Sequence, residues 1–149
     1  MEKYSNELNE CFSKGLLKKT IPKSRDSKRD ILQAEHFLEE ADDLIDLGKK
    51  EFGMIAMYNS IFHAGRAILN LDGIKEKSHH CLQKYLEEKK IFNKEEIELF
   101  DILRVKRHQI QYDLEKIIIN ENLEELYNQV EAFIEKVKKE IDYKENPTQ

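Results

Sequence analysis

A chain of 149 residues is short enough to be one domain and long enough to bury a core without staples. Charged residues make up 37% of it, while Gly and Pro number only 5 and 2, a composition that points to an all-helical protein and excludes a sheet-rich one. With 25 Lys and Arg against 30 Asp and Glu, the net charge of −5 argues against a molecule that coats nucleic acid through bulk charge; any RNA contact needs a local basic patch.

In chain order, residues 3–19 carry Leu8, Cys11, Phe12, Leu16 and Leu17 at helical spacing, which predicts a short helix weakened by Gly15 and closed by Pro22. Helix one is expected from Ser24 or Ser27 to Leu47, with Ile31, Ala34, Leu38, Ala41 and Ile45 as a core stripe and Gly48 as its stop. Helix two, Glu51 to Leu71, places Phe52, Ile55, Ala56, Phe62, Ile68 and Leu69 on more than one face, so it should be the most buried element. Gly73 ends it. Ser78 caps a short third helix with Cys81, Leu82, Tyr85 and Leu86, and Asn93 with Glu96 forms a capping box for a fourth, Lys94 to Ile118. A fifth, Leu123 to Asp142, shows Leu126, Val130, Phe133, Val137 and Ile141 on one stripe. Short connections predict an all-α, up-and-down antiparallel bundle of four to five helices over residues 23–143, with 1–22 as an extension that can add a short helix and 144–149 as a flexible tail. No sheet is expected. Cys11 and Cys81 lie far apart without a CxxC pair or a secretory leader, and are expected as reduced thiols. No run approaches the roughly 20 apolar residues that span a bilayer, so a soluble, cytoplasmic protein without a membrane partner is expected.

The chemistry concentrates in two segments. Met57–Ala67 carries Asn59 and His63 one turn apart near an apolar face, and Leu103–Asp113 carries the polar and basic run Arg104, Lys106, Arg107 and His108. Two helices with such polar positions are expected to share a cleft. The structural alternatives are specific. Arg107 can pair with Glu98, Asp101 or Glu115; His63 can be a satisfied core histidine; and Asn59 with His63 can bond to Tyr112 or Arg107 and fix helix register. The Tyr112 ring can be core while its hydroxyl reaches a phosphate. His79 and His80 are adjacent and point in different directions on a helix, so no metal site is expected, and no cofactor. The run Lys14, Lys18, Lys19, Lys23, Arg25, Lys28 and Arg29 is interrupted by acids and is a solvated face or a steering patch for a polyanion.

The order Tyr58-Asn59-Ser60-Ile61-Phe62-His63-Ala64-Gly65-Arg66-Ala67-Ile68-Leu69, then Gly73, then Ser78-His79, then Arg107-x4-Tyr112-Asp113 resembles the HEPN superfamily, and covers most of the chain. It is most similar to a prokaryotic branch that reads roughly Y-Y-A-x-F-H-A-A-R-A-L-L, a Gly, T-H, and R-x4-Y. Asn59 stands where that branch often has a second Tyr, and Gly65 where it often has Ala. The resemblance implies a helical bundle that usually dimerises, with polar residues of its central helices meeting at a cleft. Many members cut RNA without metal through Arg-x4-6-His, in which the His moves the proton of the ribose hydroxyl and the Arg stabilises the phosphorane. Here Tyr112 follows Arg107 and no His falls in the window. A phenol titrating near pH 10 is a poor base at neutral pH. His108 diverges from Arg107 by about 100° on a helix. Arg104 and His108 share a face, at a spacing outside the motif.

The expectation is therefore a non-catalytic module that binds the phosphate of a nucleotide or RNA end through Arg107, Tyr112, His63, Arg104 and His108, supported by Asn59, Tyr58, Ser78 and His79. The resemblance implies a small nucleotidyltransferase as partner, in a two-component or toxin and antitoxin pair. One alternative is a metal-independent ribonuclease in which His63, His79 or His108 moves the proton; a second is a structural helical dimer without ligand. A homodimer is favoured because helix two has more apolar faces than such a bundle covers; the competing outcome is that residues 3–19 fold back over that face and leave a monomer.

Overall fold

The computed structural model describes residues 4–113 and 119–147. Its first helix, α1 (Asn6–Ser13), starts where Ser5 accepts a hydrogen bond from the Leu8 amide, and it buries Leu8 and Cys11. It ends at Gly15 in the left-handed region, φ +72°. The predicted helix over 3–19 is thus cut short, and the chain extends as β1 (Leu17–Lys19).

α2 (Ser24–Asp46) and α3 (Lys50–Asp72) form an antiparallel pair that packs along most of its length. The core stripe of α2 is the expected one, Ile31, Ala34, Leu38 and Ala41, with Ser27 and Asp30 added at its start. Two buried hydroxyls tie the pair together: Ser27 Oγ donates to the Ala67 carbonyl at 2.7 Å and Ser60 Oγ to the Ala34 carbonyl at 2.6 Å. α3 is apolar nearly all round and packs against α2, α5 and α6, which makes it the central helix. Gly65 permits a close approach of α4 and α5: a Cβ there would lie 2.8 Å from Leu86 Cδ1 and 3.3 Å from Phe100 Cε2.

α3 ends at Gly73, φ +76°, and the chain turns into β2 (Ile74–Glu76), antiparallel to β1 with Leu17 opposite Glu76 and Lys19 opposite Ile74. This ribbon corrects the expectation of no sheet. Three-residue strands are too short to show a period of two, and their pairing depends on contacts distant in sequence. Thr20 N donating to Gly73 O at 2.7 Å and Lys77 N to Leu16 O at 2.9 Å close its ends.

α4 (His79–Lys89) is capped by Ser78, whose Oγ accepts from Cys81 N at 3.2 Å. α5 (Lys94–Tyr112) begins with both bonds of the Asn93/Glu96 capping box at 2.8 Å. It ends at Tyr112 with Asp113 extended; the rest of the expected helix, residues 114–118, lies outside the described residues. α6 (Leu123–Glu145) buries its predicted stripe and runs three residues past the expected end, where Glu145 meets Ser24 and Lys28 and Lys144 meets Asp72. The result is a helical bundle with an extra N-terminal helix. Among the described residues, no helix is long and apolar enough to cross a membrane.

Cys11 and Cys81 are joined as a disulfide, Cα to Cα 5.9 Å, which corrects the reading of both as thiols. The two lie 70 residues apart in sequence, so only the packing of α1 on α4 brings them together. Glu7 reinforces the joint through His80 and Lys84, each at 3.0 Å. A cross-link over so long a loop typically contributes about 2–4 kcal/mol. Dithiothreitol should therefore lower the melting temperature of the protein by several degrees and leave that of a Cys11→Ser/Cys81→Ser variant unchanged; equal behaviour of the two would contradict the bond.

Candidate phosphate-binding site

Three helices meet around Tyr58. Its ring is 1% exposed and packs edge-on against Phe100 at 6.0 Å, so α3 holds it rigidly in the core. Its hydroxyl reaches His79 Nδ1 at the start of α4, at 2.5 Å. From α5, the Arg107 guanidinium carbon lies 4.9 Å from the centre of the same ring, within cation–π range. Phe62, one turn after Tyr58, stacks on the His79 ring at 4.2 Å.

Protonation follows from this arrangement. Burial pushes the Tyr58 phenol up to about 12, against the opposing pull of Arg107 and Arg104, so it stays protonated at neutral pH. A buried hydroxyl needs an acceptor, and His79 Nδ1 is the one it has among the described residues. Tyr58 accordingly donates, Nδ1 accepts, and neutral His79 carries its proton on Nε2. Burial, then the charges of Arg107 and Arg104, hold His79 below the ordinary histidine range. His79 is thus a neutral donor beside two cations.

Arg107 differs from its neighbour Arg104 in having no carboxylate partner among the described residues. Arg104 Nη2 donates to Asp101 Oδ1 at 2.8 Å and its Nε to Gln83 Oε1 at 3.3 Å. Arg107 Nη1 donates to Gln111 Oε1 at 2.9 Å, while its Nε is buried without a partner. A buried donor left unpaired costs about 1–3 kcal/mol, and an oxyanion bridging Nε and Nη2 would relieve that cost through a bidentate pair. The alternative in which Arg107 pairs with Glu98 or Asp101 is not realised, and Glu115 lies outside the described residues.

The remaining expected residues separate. His63 is turned to α2, where Nδ1 meets Asp30 Oδ1 at 3.0 Å and the ring stacks on Phe37 at 5.5 Å. Asp30 also accepts from Asn70 Nδ2 at 2.6 Å, so His63 belongs to a second network, without Arg107 or Tyr112. The network was signalled by an acid on the core stripe of α2, at the position before Ile31. The Asn59 side chain makes no hydrogen bond among the described residues, and Ser78 acts as a helix cap. Tyr112 is 65% exposed, with its ring 4.8 Å from that of the exposed His108 and away from the core. Among the described residues, no group of three or more His, Cys, Asp or Glu is placed to hold a metal ion. Phe62, stacked on His79, and Gln83, bonded to Arg104, join the candidate site without having been expected there; Phe62 stood inside the F-H pair and read as core.

A family model described as the HEPN domain matches residues 27–141. The chain belongs to the HEPN family. A comparison with curated proteins found no match. The HEPN segment contains Tyr58, His79, Arg104 and Arg107, whereas α1 and β1 precede it and are fastened to it by the disulfide and the ribbon. Membership suggests a nucleotide- or RNA-related role.

The depressed His79 gives a pH dependence of definite sign. Because its folded value lies below the unfolded one of about 6.5, the unfolded chain binds the extra proton between the two. The stability from neutral His79 is therefore present above about pH 6.5 and is lost as pH falls through the folded value. Removing Arg107 should raise the His79 pKa, and binding of an anion should raise it too. NMR titration of the His79 ring in wild type and Arg107→Ala reads this directly; coincident curves would mean that Arg107 does not act on His79.

Proposed function

We propose that this HEPN chain is a non-catalytic module that binds the phosphate of a nucleotide or of an RNA end at Arg107, with Arg104 adding charge and His79 Nε2–H adding a neutral donor. The observation that carries the reading is the Arg107 guanidinium, laid on the Tyr58 ring with Nε buried and unpaired, and with no carboxylate partner among the described residues. The Tyr58–His79 bond supports binding over chemistry, since it turns the outward imidazole nitrogen into a donor rather than a base. Tyr112, His63 and His108 are left out of this site.

A homodimer fits the exposed Ile102, Val105 and Tyr112, which fall on one side of α5 at spacings of 3 and 7, on the face turned away from Arg107. Light scattering should give twice the chain mass, reduced to one by Val105→Asp. The nucleotidyltransferase partner and the toxin and antitoxin setting follow from the family branch, and co-purification from the native host tests them. The ribonuclease reading keeps one point in its favour: the imidazole of His79 shares a cluster with two guanidiniums. Incubation with single-stranded and structured RNA separates the two. The module binds nucleoside monophosphates and leaves RNA intact; cleavage abolished by His79→Ala would overturn it.

A further inference from the structure

Between α4 and α5 lies an open groove with a cavity volume of about 410 Å³, lined by Gln83, Glu87, Phe92, Ile97, Glu98 and Asp101. Its volume is that of a small-molecule site rather than a packing flaw. Gln83 and Asp101 belong to this wall and also hold Arg104: Asp101 Oδ1 accepts from Arg104 Nη2 at 2.8 Å and from Gln83 Nε2 at 3.4 Å, and Gln83 Oε1 accepts from Arg104 Nε at 3.3 Å. The cavity and the arginine cluster thus share one hydrogen-bonded partition.

The chemistry on the two sides is opposite. The Arg104 hydrogen bond holds Asp101 below the ordinary carboxylate range, so it is ionised at neutral pH, and Glu87 and Glu98 add two more carboxylates. Lys94 is the cation on this wall, 3.9 Å from Glu98. A phosphate is repelled from such a lining. A flat ring is not: Phe92 and Ile97 give it apolar walls, and carboxylates accept from amino groups.

Building on the phosphate reading above, we propose that this cavity is a base subsite: it takes an amino-bearing nucleobase, adenine, cytosine or guanine, of a nucleotide whose 5′-phosphate lies on Arg107 and Arg104. The carboxylates of its lining disfavour a strand that continues past it. The ligand is accordingly a mononucleotide or the terminal residue of an RNA, and uracil, which offers carbonyls where the amino group would be, is selected against.

Calorimetric titration of wild type, Glu98→Gln, Ile97→Trp and Arg107→Ala with AMP, CMP, UMP and inorganic phosphate tests this. Wild type should bind AMP and CMP about tenfold or more tightly than UMP, the scale of a hydrogen bond to a charged group. Glu98→Gln should shrink that preference to about threefold or less, and Ile97→Trp, which fills the cavity, should abolish it without weakening inorganic phosphate binding. Equal affinity of wild type for all three nucleotides, or a preference that survives both cavity variants, overturns the base subsite. The phosphate site stands in that case, provided UMP binding still falls in Arg107→Ala. Failure of wild type to bind any of the four ligands overturns both.

Discussion

Arg107→Ala should weaken the binding of nucleoside monophosphates on the order of 10- to 100-fold while changing the melting temperature little, because hydrogen bonds to a charged group are worth about 1.5–3 kcal/mol. The two effects separate because Arg107 lies over the Tyr58 face, donates to exposed Gln111 and has Nε unsatisfied. What the fold loses is about 0.5–1 kcal/mol of cation–π attraction, and it is relieved of an unpaired donor. Arg107→Lys should recover only part of the affinity, since an ammonium keeps the charge but not the planar fork. Calorimetry and thermal denaturation on the same preparations check both halves. A large fall in stability with unchanged binding would mean that the guanidinium is architectural.

Tyr58→Ala should cost about 3–5 kcal/mol of stability, the scale for removing a large aromatic from a core. The ring is sealed between Phe100, Phe62 and His79, so the chain around it cannot collapse easily onto the space left. The same change removes the shelf under Arg107 and the donor to His79. Tyr58→Phe separates these roles: it keeps the shelf, costs about 1 kcal/mol for the hydrogen bond, and frees the His79 tautomer. Chemical denaturation measures the stabilities, and the nitrogen shifts of His79 report the tautomer. If Phe were as damaging as Ala, the hydroxyl and not the ring would be what the core depends on.

The helices were legible because their signals are local. Ile31, Ala34, Leu38 and Ala41 recur at helical spacing, Ser78 and Asn93 are caps with partners three residues on, and Gly73 takes the left-handed conformation that its position after α3 calls for. The disulfide and the ribbon were not legible, since Cys11 and Cys81 or Lys18 and Lys75 meet only after the bundle has formed. The site divides in the same way. Arg107 stood out by its place in the R-x4-Y motif, and Ser78-His79 by the T-H place. The pairing of His79 with Tyr58 and the removal of His63 to Asp30 depend on which face of α3 meets α2 and which meets α4 and α5. Tyr112 fell within the motif, yet it lies at the last turn of α5, beyond the reach of the core that buries Tyr58.

The most direct test of the central claim is the NMR resonance of the Arg107 Nε–H, followed while AMP is added to the wild-type protein. A signal that shifts saturably and exchanges more slowly with solvent as AMP binds, together with that of His79 Nε2–H, is the predicted result. An Arg107 Nε–H that stays unmoved at saturating AMP, or that is already engaged by a carboxylate of a second copy in the free protein, would contradict it.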